Sequence, residues 1–307
     1  MKIAFLYLIL LIYCLSSCTA LKRSPVLKPS NNYCEPALTY AYDSSYRPQP
    51  VLLTDTILTN HFSRHDLLTA NAAGILPLLE QLNRIPQNGD VNARIERLTK
   101  YQQIQNRLML ASTEIASLAA ELACEVERAE QLAVYLDGRD QKRIRTLTLV
   151  SLILGAATTV ATTALLHTDG SNKVVGIGGG VISASLGGAA AFSSDKSVTF
   201  LHRRNLLTDI WEESAQSTNY PPLVWYVLNE KLFSNSGQTT IRANIRQRWR
   251  SYELADTSPQ RQQLYFGAGG EYQAGDLHVR ANMLDQLQAS VRSINQDLQS
   301  LLIYVGR

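Results

Sequence analysis

An all-α fold is what this chain of 307 residues predicts, an antiparallel helical bundle with long coiled-coil-like helices and a protruding apolar Gly/Ala-rich helical hairpin. Three observations carry that expectation. Apolar residues recur at intervals of three and four over most of the chain, with no sustained run of alternation. Between Pro86 and Pro221 there is no proline to interrupt a helix. Two uncharged segments, residues 146–167 and 174–192, flank the short polar turn TDGSNK.

The elements follow in order. Residues 1–17 begin with one basic side chain, Lys2, and continue as an apolar run over 3–14, too short for a permanent span and typical of a secretory signal peptide. The run closes on Leu15-Ser16-Ser17-Cys18. This tetrapeptide resembles the lipobox of bacterial lipoproteins, in which a leucine and two small residues precede an acylated cysteine. The resemblance implies lipidation (palmitate included) of Cys18, which becomes the mature amino terminus. Two or three acyl chains exceed what stable anchoring requires. Thr19, where an acidic residue is absent, implies the outer membrane, and the lack of an acidic run after it implies the periplasmic face.

With Cys14 lost in the signal and Cys18 given to lipid, Cys34 and Cys124 remain in a compartment where disulfides persist. A pair suggests a bridge, which would staple the amino-terminal tether to a long helix and contribute roughly 4 kcal/mol on the chain-entropy model. In the other reading Cys124, within ASLAAELAC, is a small buried hydrophobe and Cys34 is free.

Residues 18–60 read as an extended tether, with five prolines from Pro25 to Pro50 and no sustained period. Residues 61–145 form the first part of the bundle. There Leu68, Ala72, Ile75, Leu78 and Leu79 mark a helix with a kink at Pro77, and PQNG marks a turn. A long helix then carries the stripe Val91, Ile95, Leu98, Ile104, Leu108, Ile115, Leu118, Leu122 and Val126. If it passes Asp137-Gly138 it extends about 110 Å at 1.5 Å per residue. Residues 195–307 complete the bundle. Helices are expected over 198–217, from Pro222 through Phe233, over 238–256 and over 276–304, with a flexible connector at GAGGEYQAG.

The uncharged hairpin, residues 146–194, needs a separate account. Ser151, Gly155, Thr159 and Thr163 recur every four residues in its first half, as do Gly176, Gly180, Ala184 and Gly188 in its second. Small residues at that spacing let two backbones approach closely. The six glycines from Gly176 to Gly188 would cost an isolated helix in water roughly 5 to 6 kcal/mol relative to alanine. Lipid or dense protein packing must therefore supply the helix, and both settings stay open. The hairpin resembles the glycine-zipper hairpins of outer-membrane lipoproteins, including the surface-exclusion lipoproteins of conjugative plasmids. That resemblance implies transmembrane helices that help oligomers assemble. A looser likeness is to helical pore-forming toxins, whose apolar hairpin inserts on triggering. Lys142, Arg143, Arg145, Arg203 and Arg204 flank the hairpin rather than its turn, which inverts the positive-inside pattern of a segment inserted during export.

Enzyme readings are excluded by what is missing. His61 and His65 with Asp66 have no third metal ligand in view, and read as two solvated histidines and a helix-starting aspartate. GIGGG matches neither phosphate-loop pattern. No catalytic residue, metal, cofactor or small-molecule substrate is implied, and the net charge of +3 is too small to argue for nucleic acid. Arg242, Arg246 and Arg250 form a basic stripe beside Ile241, Ile245 and Trp249. They would contact anionic headgroups, or form a solvated face over a core-packing stripe.

The expected function is that of a lipid-anchored envelope protein with a structural, membrane-association or self-assembly role through its hairpin. Its partners would be membrane lipid and a second copy or another envelope protein. The alternatives are a membrane-perforating protein and a periplasmic helical adaptor whose hairpin is buried.

Overall fold

A computed structural model describes residues 33–36, 56–164 and 196–305. The signal, Cys18, most of the tether, the polar turn, and Gly176, Gly180, Ala184 and Gly188 lie outside the described residues.

Three short helices come first: α1 (Thr56–His61), α2 (Arg64–Ala72) and α3 (Leu76–Arg84). Ser63 caps α2, its hydroxyl oxygen accepting from the Asp66 N–H at 3.0 Å and donating to the Asp66 carboxylate at 2.6 Å. α2 is closed off by Gly74 just past its end, whose φ of 70° allows the Ile75 and Gly74 N–H groups to donate back to the Ala70 and Asn71 carbonyls. The expected kink at Pro77 is therefore a full break three residues earlier. Pro77 sits in the first turn of α3, where its missing N–H costs no helical hydrogen bond.

α4 (Val91–Ala164) is one helix of 74 residues and passes Asp137-Gly138 without interruption. The Asp90 carboxylate caps its start by accepting from the Ala93 N–H at 2.9 Å.

The return from the second uncharged segment is not helical as expected for 198–217. It is β1 (Ser197–Leu201), which pairs antiparallel with β2 (Gly269–Gln273) in the register Ser197↔Gln273 to Leu201↔Gly269. The supposed flexible connector is thus half of a sheet. β1 alternates, with Val198 and Phe200 buried and Ser197, Thr199 and Leu201 exposed, but five residues are too few to stand out against a helical background. Gly269 makes the pairing feasible. It has φ +92°, and a Cβ there would lie 2.2 Å from the Phe200 carbonyl oxygen.

Short elements follow: α5 (Leu206–Trp211), α6 (Pro222–Asn229), a 3₁₀ turn at Lys231–Phe233, and α7 (Ile241–Arg248). α7 widens into a π turn at Trp249–Glu253, and α8 (Pro259–Phe266) leads into β2. The helix expected over 238–256 is accordingly shorter and changes pitch. α9 (Ala274–Val305) closes the chain, with the Asp276 carboxylate in its first turn accepting from the Gln273 N–H at 2.9 Å.

α9 runs antiparallel to α4. His278 meets Asp137 and Glu130 near one end, Ser112 reaches Asn295 in the middle, and the Tyr101 hydroxyl donates to the Val305 carbonyl at the other end. Between these points Ile104, Leu108, Ile115, Leu118 and Leu122 of α4 pack in one core with Leu277, Leu284, Leu287, Val291, Ile294 and Leu298 of α9. The smaller helices and the sheet complete that core through Leu67, Ile75, Phe200, Leu207, Val224, Ile245 and Trp249. Val91, Ile95 and Leu98, expected as part of the buried stripe, are instead 57–69% exposed; they precede Tyr101, the point of α4 that meets Val305 of α9.

Candidate functional site

Among the described side chains of α4, the last buried ones are Leu132, Ala133 and Leu136. Beyond them the helix leaves the body, first through the charged stretch 137–145 and then through residues that carry no charge. Ile144, Leu149, Val150, Leu152 and Ile153 are 41–66% exposed. At 100° per residue these five positions spread over about 240° of the helix circumference. A helix apolar on most of its circumference is suited to complete burial or to lipid, and not to a one-sided contact.

Three hydroxyls of this continuation bond back to their own helix. Thr146 Oγ1 donates to the Lys142 carbonyl at 2.8 Å, Thr148 Oγ1 to Ile144 at 2.9 Å and Ser151 Oγ to Thr148 at 2.8 Å. Each hydroxyl is satisfied by its own helix, which removes the main penalty of placing it in an apolar medium. Ser151, Gly155, Thr159 and Thr163 all lie on α4 and share one face by their spacing of four. The opposing ridge lies outside the described residues. Among the described residues no helix is long and apolar enough to cross a membrane.

The root of the continuation is held by carboxylates. Asp137 and Glu130, seven residues apart on one face of α4, grip opposite ring nitrogens of His278 from α9. The distances are 3.0 Å to Nε2 and 3.1 Å to Nδ1. The hydrogen bond to Asp137 is the largest cause holding the His278 pKa above its ordinary value; burial opposes it, and Glu130 adds to the rise. One turn on, the Asp140 carboxylate accepts from the backbone N–H of Lys196 at 3.1 Å. This bond brings the start of β1 to the point where α4 emerges. Lys142, Arg143 and Arg145 follow, all exposed.

Further into the body, Cys34 and Cys124 are joined, with a Cα–Cα distance of 5.5 Å and a sequence separation of 90. Beside the bridge Glu121 lies 6% exposed, its Oε1 2.8 Å from Arg204 Nε. Burial pushes its pKa up to about 7, with Glu125 and Glu35 adding to the rise and Arg204 opposing it. Burial outweighs the ion pair here because both partners are largely withdrawn from water. Next to this pair a polar wedge fastens the sheet to α9. Arg280, 1% exposed, donates to the Asn205 side chain at 3.2 Å and the Tyr265 carbonyl at 3.0 Å. His202 Nε2 lies 2.8 Å from the Tyr272 hydroxyl, and burial together with the nearby Arg280 and Arg128 holds the imidazole neutral by lowering its pKa. Arg128 stacks 4.2 Å from the Phe200 ring centroid.

The structure changes the reading of the basic stripe. Arg242 donates to the Ser214 carbonyl at 2.7 Å and lies over the Trp225 ring. Arg246 donates to the Trp211 carbonyl at 3.3 Å and pairs with Glu213, and Arg250 lies over the Trp211 ring. These guanidinium groups contact the chain at the end of α5 and just after it, Arg250 while remaining exposed, above the core-packing stripe expected from the sequence. Ile245 and Trp249 are fully buried beside them. His65, expected to be solvated, instead lies 2.9 Å from Asp297 of α9, and this hydrogen bond raises its pKa. His61 is exposed. Among the described residues no three His, Cys, Asp or Glu side chains are grouped to hold a metal ion.

Sequence reasoning missed the His278 clamp and the Arg280 wedge. Only the two-turn spacing of Glu130 and Asp137 hinted at the first, and nothing in the sequence links Arg280 to Asn205 across 75 residues. No known family matches the chain, and comparison with curated proteins and with solved structures returned no match.

Proposed function

We propose that this is a lipid-anchored envelope protein, acylated at Cys18, in which a coiled-coil-like α4/α9 bundle carries the apolar hairpin of residues 146–194 into a membrane or an assembly of its own copies. It is not an enzyme on this reading. Its role is structural, in membrane association or self-assembly, at the periplasmic face of the outer membrane. The observation that carries the reading is the exit of α4 from the body. Past the charged stretch 137–145 its composition turns apolar, it exposes large aliphatic side chains over 144–153, and the hydroxyls of Thr146, Thr148 and Ser151 are satisfied internally.

The test has two parts. Cys18→Ala should abolish metabolic acyl labelling, and a labelled variant would overturn the anchor. Envelopes carrying that variant are then extracted with alkaline carbonate. Retention in the pellet is expected if the hairpin enters the membrane, whereas full release without assembly into larger species would overturn the role given to the hairpin. Dye release from vesicles by the intact protein would favour a perforating activity over a purely structural one.

A further inference from the structure

We infer that the Asn88-Gly89 step in the turn between α3 and α4 is a self-modification site, at which Asn88 loses its side-chain amide through a cyclic imide and becomes aspartate or isoaspartate. Of all the asparagines in the chain only Asn88 precedes a glycine. The pair lies outside any helix, and Pro86, Gln87, Asn88 and Asp90 are exposed. Among the described residues no hydrogen bond engages the Asn88 carboxamide or the Gly89 N–H. The nucleophile and the carbonyl carbon it attacks are therefore neighbours in one solvated turn, which makes ring closure unimolecular. Gly89 carries no Cβ to hinder that closure. Packing also fixes glycine at this position, since a Cβ there would lie 2.5 Å from the Ala93 Cβ.

The reaction balances with water alone. Once hydroxide removes the Gly89 amide proton, the nitrogen attacks Asn88 Cγ. The N–Cγ bond forms, the Cγ–Nδ2 bond breaks, and ammonia departs with a proton from water, which regenerates the hydroxide. A further water opens the ring. Addition at Cγ leaves aspartate, whereas addition at the main-chain carbonyl carbon leaves isoaspartate, whose backbone runs on through Cγ and is one carbon longer. Either product places a carboxylate just before α4, close to the N–H groups that Asp90 begins to cap. Isoaspartate also lengthens the link across which Arg97 holds the Leu82 and Ile85 carbonyls at the end of α3, at 3.4 and 3.5 Å. Asp137-Gly138 is the contrast within the same chain. It too ends in glycine, but it lies inside α4, where the helical ladder engages the N–H and keeps the backbone from closing a ring.

The experiment ages the folded full chain in heavy-oxygen water at pH 8 and maps its peptides by mass spectrometry, beside a sample unfolded in urea. In the folded protein Asn88 should convert ahead of Asn235, which is also exposed outside a helix but precedes Ser236. Both aspartate and isoaspartate should appear at position 88, each carrying one heavy oxygen. Asn88→Gln, whose ring would need one more atom, should stay unconverted over the same period while keeping the helical circular dichroism of the intact protein. An Asn88 that stays intact in the folded protein yet converts in urea overturns the site, because the turn then holds the Gly89 nitrogen away from Cγ. Conversion to aspartate without isoaspartate overturns the imide route, and conversion of Asn235 at the same rate overturns the part given to glycine.

Discussion

Residues 104–136 and 141–153 belong to one helix, the second richer in leucine and isoleucine than the first, and they meet opposite fates. In the first stretch Ile104, Ile115, Leu118 and Leu122 are completely buried. In the second Leu149, Leu152 and Ile153 stand half to two-thirds exposed. The helix itself does not change at the border. What changes is its neighbour, because α9 begins at Ala274, and the last tie it makes to α4 is the His278 clamp on Asp137. Among the described residues, burial along α4 thus follows the extent of α9, and the same type of side chain contributes to core stability on one side of Asp137 and to an accessible apolar surface on the other.

The largest expected effect on this contrast is loss of the Cys34–Cys124 bridge, which ties the amino-terminal segment to the buried stretch alone. Removing the bridge by Cys124→Ser should cost roughly 4 kcal/mol on the chain-entropy model, read as a lowered denaturant midpoint, while the helicity of the continuation stays unchanged. Leu118→Ala leaves a cavity at a fully buried site and should cost roughly 2 to 5 kcal/mol. Its counterpart Leu152→Ala should change chemical stability by less than about 0.5 kcal/mol yet weaken vesicle binding. Equal destabilisation by the two substitutions would erase the contrast.

A smaller effect is expected from pH. Glu121 has its folded pKa raised to about 7, so its contribution is present below its ordinary range near 4.5 and is lost as the pH rises through about 7. Glu121→Gln should therefore flatten the fall in melting temperature between those values. A fall that persists unchanged would show that Glu121 stays ionised beside Arg204. His278 and His65 have the same sign. Their raised values favour the folded state below about 6.5, and this is lost as pH climbs through the folded pKa of each. Both side chains are well exposed, so solvent screening holds each effect to a few tenths of a kcal/mol. His278→Gln should show it as a slightly smaller difference in melting temperature between pH 6 and pH 8. The smallest effect predicted is that of Arg250, which rests on the Trp211 ring while remaining exposed. Arg250→Ala should cost under about 1 kcal/mol.

The helical reading was legible where periodicity ran long. The stripe from Ile104 to Leu122 and the one from Leu277 to Leu301 are visible in the sequence because a helix buries every third or fourth residue along its whole length. The two strands were not legible, since SVTFL and GGEYQ are five residues each and acquire their meaning from each other across some 70 positions. The fate of Arg242, Arg246 and Arg250 was equally hidden. Their spacing shows that they share a helix face, but not that the Trp211 and Ser214 carbonyls lie within reach of it.

By itself, then, the sequence determined the helical character of most of this protein, the freedom of the α4 region from proline and the chemistry of its uncharged continuation, all properties carried by neighbouring residues within a few turns. Only the tertiary structure decided where α4 stops being covered, that Lys196 returns to the root beside Asp140, and that His278 closes on two carboxylates there. Those contacts join residues 56 to 148 positions apart, and no local pattern encodes a distance that depends on how a whole chain packs.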